Sequence, residues 1–188
     1  MNNSQQIQQK YQKNINSICL FCGASSGNNP AYTNKAQEFG RLIAEKKVKL
    51  VYGGAQVGLM GVVATAVIKN GGKVVGVIPK FLSNIEIVHP KLSETIFVPT
   101  MHERKEVMFD LSDTIVVLPG GFGTLDEFFE VLTWKQLNLH KKNIFLMNIN
   151  EFWTPLVTTI DHMINEGFVK SSNRSLIHVI QEPDEIFI

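Results

Sequence analysis

Residues 116–134, VVLPGGFGTLDEFFEVLTW, combine a strand, a turn and the start of a helix in one short segment. It begins as an apolar run, turns at Pro119–Gly121, and continues beyond Gly123 with a helical pattern. A buried strand that ends in a glycine turn before a helix is the repeating unit of an α/β sheet. The stretch also carries Glu127, a carboxylate that is either a helix cap or a group that performs chemistry.

The same unit recurs along the chain. Runs rich in Val, Ile and Leu, without apolar/polar alternation, indicate strands that are covered on both faces. They predict strands at 17–22, 49–52, 73–78, 95–98, 114–118 and 143–147. Amphipathic segments predict helices near 31–46, 57–69, 101–111, 124–137 and 152–166. This alternation predicts an α/β fold in one domain, a doubly wound parallel sheet flanked by helices.

Length and composition fit one globular domain at 17–188, preceded by a polar, mobile tail at 1–16. Of the 188 residues, 44% are hydrophobic and 19% are charged, and the net charge of +1 argues against nucleic acid as a partner. No apolar run approaches the roughly 20 residues of a membrane span, and no secretory signal opens the chain. We therefore expect a cytoplasmic protein without a membrane partner.

The two cysteines form the pair CLFC at 19–22, which is a spacing found in redox and zinc sites. On a strand, side chains three residues apart point to opposite faces of the sheet. The chain has no second Cys/His pair at metal spacing and no H-x-x-x-H pattern. We therefore expect two inert buried thiols and no metal site.

Three strand ends carry small-residue loops: CGASSGNNP, YGGAQVGLMG and PGGFGT. Ligands of open α/β sheets bind beyond the carboxyl ends of strands, and a helix N-terminus favours phosphate. Glycines at such turns also occur for steric reasons alone. The PGGFGT loop is not a P-loop, because no G-K-[ST] follows it. The 53–61 loop is closer to the dinucleotide fingerprint, but the strand that follows it does not end in the acidic residue that would bind the ribose. A nicotinamide cofactor is therefore disfavoured.

Two residues near these loops have competing interpretations. Thr124 and Glu127 match a capping box, in which both side chains bind backbone N–H groups at a helix start. Arg104 lies on a helical stripe with Met101, Met108 and Leu111, so it interrupts an apolar face. A cation there either extends its charged end to water or meets an anion. Lys105 lies beside it.

The segment MHERKEVMFDLSDTIVVLPGGFGTLDEFFEVLTWKQLNLHKKNIFLMN resembles the Lonely Guy (LOG) family of cytokinin-activating phosphoribohydrolases, also described as lysine decarboxylase-like. The family motif P-G-G-x-G-T-x-x-E is met by Pro119 through Glu127, and its Arg-Lys pair by Arg104–Lys105. CGASSGNNPAY and LVYGGAQVGLMGVVA also resemble the first two units of the family. The resemblance covers residues 17–168. Phe122 stands where relatives often carry Tyr, and Asp126 where Glu is frequent.

The resemblance implies a Rossmann-like homodimer. It would hydrolyse the N-glycosidic bond of N6-modified adenosine 5′-monophosphates, or of AMP, to free base and ribose 5-phosphate, without metal or organic cofactor. Arg104 and Glu127 would be catalytic. Thr124 can still cap the helix while Glu127 faces the ribose. The implied substrate contacts are Glu86, Arg104, Lys105, Gly120, Gly121, Phe122, Gly123, Thr124, Leu125, Asp126, Glu127 and Thr133.

Two other functions remain open from the residues. A pyridoxal phosphate decarboxylase would need a Schiff-base lysine, and Lys105 is a poor candidate because Arg104 lies beside it. A non-catalytic nucleotide carrier or sensor would use the same phosphate loop and would bind AMP-like ligands without cleaving them.

Overall fold

The computed structural model describes residues 15–82 and 88–188. The strands are β1 Ser17–Phe21, β2 Lys49–Tyr52, β3 Val74–Pro79, β4 Glu94–Val98, β5 Thr114–Val117, β6 Asn143–Met147 and β7 His178–Ile180. The helices are α1 Pro30–Glu45, α2 Gly58–Lys69, α3 Met101–Asp110, α4 Phe122–Gln136 and α5 Thr154–Asn165. Three 3₁₀ segments cover Ile149–Glu151, Ser171–Leu176 and Pro183–Phe187.

All seven strands form one parallel sheet in the order β4-β3-β2-β1-β5-β6-β7. The chain builds outward from β1 to β4 on one side, then returns to β5 on the other side of β1. The predicted doubly wound, Rossmann-like sheet is therefore confirmed. The point where the strand order reverses lies between β1 and β5.

Each face of the sheet has its own apolar layer. Along β1, Ile18 and Leu20 join the layer under α1 and α2, whereas Cys19 and Phe21 join the layer under α3, α4 and α5. Cys19 and Cys22 lie in different layers and are both buried and unpaired. The prediction that they are two separate buried thiols is confirmed.

The six predicted strands and five predicted helices all occur, with ends displaced by up to two residues. The sequence analysis missed β7, a strand of three residues that pairs with β6. Most of the predicted tail, residues 1–14, lies outside the described residues, and Ile15 already packs against the core. Within the described part of the chain, no helix has the length and apolar character needed to cross a membrane.

Candidate active site

A cavity of about 480 Å³ opens at the carboxyl ends of the strands, around the junction of β1 and β5. The loops after β1, β2 and β5 line it, together with the first turns of α1, α2, α3 and α4. Phe152, beyond β6, completes the lining. This is the crevice where open α/β sheets bind ligands.

One wall of the cavity is apolar. It is formed by Leu20 on β1, Leu59 and Met60 at the start of α2, Tyr32 on α1, and Phe152. The Tyr32 and Phe152 rings meet edge to face, with centroids 5.7 Å apart. Such a wall suits a flat apolar group such as a nucleobase.

The turn at Pro119–Gly121 also lines the cavity. The N–H of Gly23 donates to Pro119 O over 2.9 Å, which ties the loop after β1 to the loop after β5. A Cβ on Gly120 would lie 2.1 Å from Thr124 Oγ1, so this position admits no side chain. Gly121 and Gly123 instead face open space. The loop therefore leaves room for a ligand beside the backbone.

The start of α4 provides free N–H groups. Gly121 is the N-cap, and no side chain caps the helix. The first N–H that is bonded within this turn belongs to Leu125, which donates to Gly121 O over 3.0 Å. The preceding N–H groups point out of the helix start, where its dipole is positive. This backbone can bind a phosphate or carboxylate.

Of the two interpretations of Glu127, the structure does not support the capping box with Thr124. The glycine turn starts the helix at Phe122, so Thr124 is its third residue and packs, 3% exposed, against Gly120. Within residues 15–82 and 88–188, no group donates a hydrogen bond to the Glu127 carboxylate. Glu127 therefore has no capping role and lines the cavity instead.

Arg104 enters the cavity from α3. It is 6% exposed, and its Nη2 donates to Gly53 O over 3.3 Å, while Nη1 lies 3.8 Å from Met101 Sδ. Its Nε is buried without an acceptor, and no described carboxylate pairs with the guanidinium. A buried guanidinium with unused donors needs an anion. Of the two interpretations from sequence, the geometry favours anion binding.

The carboxyl of Glu127 is half-buried in the same cavity. Burial raises its pKa to about 7 from an ordinary value of 4.5. The cations of Arg104 and Lys105 oppose this rise, and the carboxylates of Asp126 and Glu130 add to it. A carboxyl whose pKa is near neutrality can take or give a proton at physiological pH.

This raised pKa predicts a pH-dependent stability difference. Ionisation of Glu127 costs the folded state stability as the pH rises from its ordinary pKa of 4.5 to its folded-state pKa of about 7. Glu127→Gln removes this titration. We therefore expect the unfolding free energy of Glu127→Gln, measured relative to that of the parent chain, to increase by about 2 kcal/mol between about pH 5.5 and 8.5.

Urea unfolding at both pH values measures this difference. Glu106→Gln is the matched control, because Glu106 is exposed on α3. An advantage of Glu127→Gln that is the same at both pH values would contradict the raised pKa.

Lys105 lies behind the cavity wall and does not line it. Its Nζ is 3.0 Å from Asp126 Oδ2 and 2.9 Å from Glu130 Oε2, and the residue is 6% exposed. Burial lowers the pKa of its ammonium, but the two carboxylates outweigh burial and the pKa is raised. Lys105 is therefore a charged, paired lysine.

The other predicted contacts fall into two groups. The cavity is lined by Gly120, Gly121, Gly123, Thr124 and Asp126, together with the catalytic candidates Arg104 and Glu127. The side chains of three others are elsewhere: Phe122 is 93% exposed, Leu125 packs on the core, and Thr133 is exposed and donates to Phe129 O over 2.7 Å. Glu86 lies outside the described residues.

Sequence reasoning missed the apolar wall. Tyr32 lies two residues after the first glycine loop, within the first turn of α1, so its position after CGASSGNNP was a usable signal. Phe152 follows β6, where no glycine loop marks the strand end. Among the described residues, no three His, Cys, Asp or Glu side chains group as a metal site would require.

Comparison with known proteins identifies a matching family and similar enzymes. A family model described as "Possible lysine decarboxylase" matches residues 60–188. The cytokinin riboside 5′-monophosphate phosphoribohydrolase of Rhodococcoides fascians is 47% identical over 167 residues, covering 88% of this chain and 84% of that protein. The cytokinin riboside 5′-monophosphate phosphoribohydrolase LOG2 of Arabidopsis thaliana is 45% identical over 160 residues, covering 85% of this chain and 75% of that protein.

Solved structures support the fold. The molybdenum cofactor binding protein of Rippkaea orientalis superposes with a TM-score of 0.68 at 20% identity, over 90% of this chain and 91% of that chain. The Moco carrier protein of Chlamydomonas reinhardtii gives 0.67 at 18% identity, over 91% and 92%. Identity this low shows a shared fold alone.

The residues do not fit pyridoxal phosphate. A decarboxylase of that kind needs a lysine within the cavity to form a Schiff base. No lysine lines the cavity among residues 15–82 and 88–188, and Lys105 is held by two carboxylates behind it.

Proposed function

The chain belongs to the LOG family of cytokinin riboside 5′-monophosphate phosphoribohydrolases, and we propose that it hydrolyses N6-modified adenosine 5′-monophosphates. The products are the free base and ribose 5-phosphate. The observation that carries the proposal is one cavity that contains an anion-binding helix start, an unpaired buried guanidinium and a carboxylate. Each part of the substrate has a matching part of the cavity.

The 5′-phosphate binds at the N-terminus of α4. The N–H groups after Gly121 and the helix dipole favour a dianion, and Gly121 and Gly123 leave the space open. Arg104, whose buried Nε lacks an acceptor, supplies a positive charge to the same cavity from α3. Binding the phosphate at these two points fixes the position of the ribose.

Glu127 then acts at C1′. Breaking the C1′–N9 bond builds positive charge on the ribose, as in glycoside hydrolysis. An ionised carboxylate stabilises that charge and deprotonates the attacking water. Glu127 lies three residues beyond Thr124, about one helical turn from the phosphate site. The base, with its apolar N6 substituent, rests against Tyr32, Met60 and Phe152.

The test compares N6-isopentenyl-AMP, AMP and N6-isopentenyladenosine, with chromatographic detection of free base. We expect base from the monophosphates and at least about 10²-fold less from the riboside, because the riboside has no group for the α4 site. Release of base from the riboside alone would contradict the role of the glycine turn. Binding of the monophosphates without any release of base would indicate a carrier or sensor.

Gly53 is predicted to set the position of Arg104. A Cβ at residue 53 would lie 1.8 Å from Arg104 Nη2, so Gly53→Ala must displace the guanidinium. We expect kcat/KM for the monophosphate to fall by about 10²-fold, the cost of a misplacement of about 1 Å.

Gly71→Ala is the control for that substitution. Gly71 has a φ of 77°, and a methyl group at this position would have no atom within 4 Å, so alanine there strains only a remote turn. It should lower stability and leave kcat/KM unchanged. Equal activity of the Gly53 and Gly71 variants would remove Gly53 from the account.

We also propose a homodimer. Phe122, Phe129, Thr133 and Leu137 follow one stripe of α4, and the three apolar members are 93%, 37% and 60% exposed. If Thr133 contacts substrate, as the family resemblance implies, it does so from a second copy, because it does not line the cavity of its own chain. Sedimentation equilibrium should give twice the chain mass, and the mass of one chain would contradict the dimer.

A cytoplasmic location completes the proposal. It is supported by Cys19 and Cys22, which are buried and unpaired. Cell fractionation with an antibody to the chain tests the location, and recovery outside the cytoplasmic fraction would contradict it.

A further inference from the structure

Lys105 links the two helices that carry the proposed catalytic pair. Arg104 precedes it on α3, and its ammonium reaches Asp126 and Glu130 on α4, on either side of Glu127. The pairs Lys105–Asp126 and Lys105–Glu130 are the ion pairs that join α3 to α4 in the described part of the chain. Farther from the cavity, the same helices meet through the rings of Phe109 and Trp134, whose centroids are 5.2 Å apart.

The ammonium is not available to a nucleotide in this arrangement. The ammonium donates a hydrogen bond to Asp126 Oδ2 over 3.0 Å and forms an ion pair with Glu130 Oε2 at 2.9 Å, and the side chain is 7% exposed. Arg104 and Asp126 line the cavity, and Lys105 does not. A direct contact between Lys105 and the substrate would require its ammonium to move out from behind the cavity wall.

The pairing also controls the charge around Glu127. Asp126, Glu127 and Glu130 place three carboxyls on two turns of α4. Arg104 and Lys105 face Glu127 from α3, and the buried thiols Cys19 and Cys22 on and just after β1 interact with it electrostatically. Without Lys105, two carboxylates beside Glu127 would lose their partner and repel each other.

We propose that Lys105 is a positioning residue that clamps the first two turns of α4 against α3, and so holds Glu127 opposite Arg104, rather than a residue that contacts the nucleotide. This inference rests on the proposed hydrolase function. The clamp determines the geometry of the catalytic pair and the charge next to it. Both effects act on the chemical step more than on substrate binding.

Steady-state kinetics with N6-isopentenyl-AMP separate the two roles. We expect Lys105→Met to lower kcat by about 10-fold or more and to change KM by less than about 3-fold. Lys105→Arg, which keeps the charge and both partners, should retain kcat within about 3-fold. A rise in KM for the monophosphate with kcat unchanged would assign Lys105 to the substrate and overturn the clamp.

A second readout needs no turnover. The NMR titration midpoint of Glu127 should rise by about half a unit or more in Lys105→Met, because a nearby cation is lost. It should fall in Glu130→Gln, which removes a carboxylate that raises the pKa of Glu127 and keeps Lys105 paired with Asp126. The double variant Lys105→Met/Glu130→Gln should lie between the two single variants.

The kinetic and NMR experiments separate failure of the hydrolase proposal from failure of the Lys105 proposal. If the parent chain releases no base, the hydrolase proposal fails, and the titration midpoints still decide whether Lys105 acts on Glu127. If Lys105→Met does not fold, Lys105→Gln, which also removes the charge and keeps a polar side chain, carries the test. Unchanged midpoints in every folded variant would overturn the clamp.

Discussion

Glu127→Gln is expected to lower kcat for N6-isopentenyl-AMP by about 10²-fold or more, with the fold and nucleotide binding retained. Glutamine keeps the shape of the side chain and removes both its negative charge and its capacity to accept a proton. The described structure gives the Glu127 carboxylate no capping bond and no ion pair, so the substitution breaks no structural contact. The loss should therefore fall on the chemical step.

Single-turnover kinetics and calorimetric binding of AMP measure the two effects separately. Glu106→Gln provides the same chemical change at an exposed position on α3 and should leave both values unchanged. Near-normal turnover in Glu127→Gln would return this residue to a structural role.

The pH profile of the parent chain has a predicted direction. In the proposed mechanism the ionised form of Glu127 is the active one, and the pKa of this carboxyl is raised to about 7. We therefore expect kcat/KM to rise as the pH increases toward about 7 and then to level off. A profile that falls through this range would mean that the protonated form is the catalyst.

Arg104→Met is expected to lower kcat/KM for the monophosphate by about 10²-fold or more. Methionine keeps much of the buried apolar volume and removes the donors at Nη1, Nη2 and Nε. The guanidinium is 6% exposed and lacks a carboxylate partner in the described structure, so an anionic ligand gains its full charge. The loss should be much smaller for the riboside, which has no phosphate.

Arg41→Met is the matched control for Arg104. Arg41 is exposed on α1 and pairs with Glu45 over 3.3 Å, and a surface pair of this kind contributes little. Thermal unfolding of both variants should show that each remains folded. An equal loss of activity toward monophosphate and riboside would move Arg104 from phosphate binding to general support of the cavity.

The fold was readable from the sequence because its central strands, such as β1, β3 and β5, are buried on both faces, whereas the edge strand β4 is mostly exposed. Runs such as TIVVL and NIFLM have few alternative positions in a soluble chain. The strand β7 was not readable, because three residues held by pairing with β6 carry no pattern of their own. Its existence depends on tertiary contacts.

The site was readable where a residue type conflicted with its surroundings. Arg104 interrupts an apolar stripe, and the structure buries it without a partner among the described carboxylates. The start of α4 was predicted two residues too late, at 124, because glycine disfavours a helix. In the structure Gly121 is the N-cap and Gly123 lies within the first turn. The pairing of Lys105 with Asp126 and Glu130 depends on the packing of α3 beside α4, which no local pattern encodes.

The identity of the products distinguishes hydrolysis of the N-glycosidic bond from any other reaction of the nucleotide. The parent chain is incubated with N6-isopentenyl-AMP, and both products are identified and counted by mass spectrometry. Hydrolysis of the N-glycosidic bond predicts free N6-isopentenyladenine and ribose 5-phosphate in equal amounts. Recovery of intact nucleotide, or of riboside and inorganic phosphate, would contradict it.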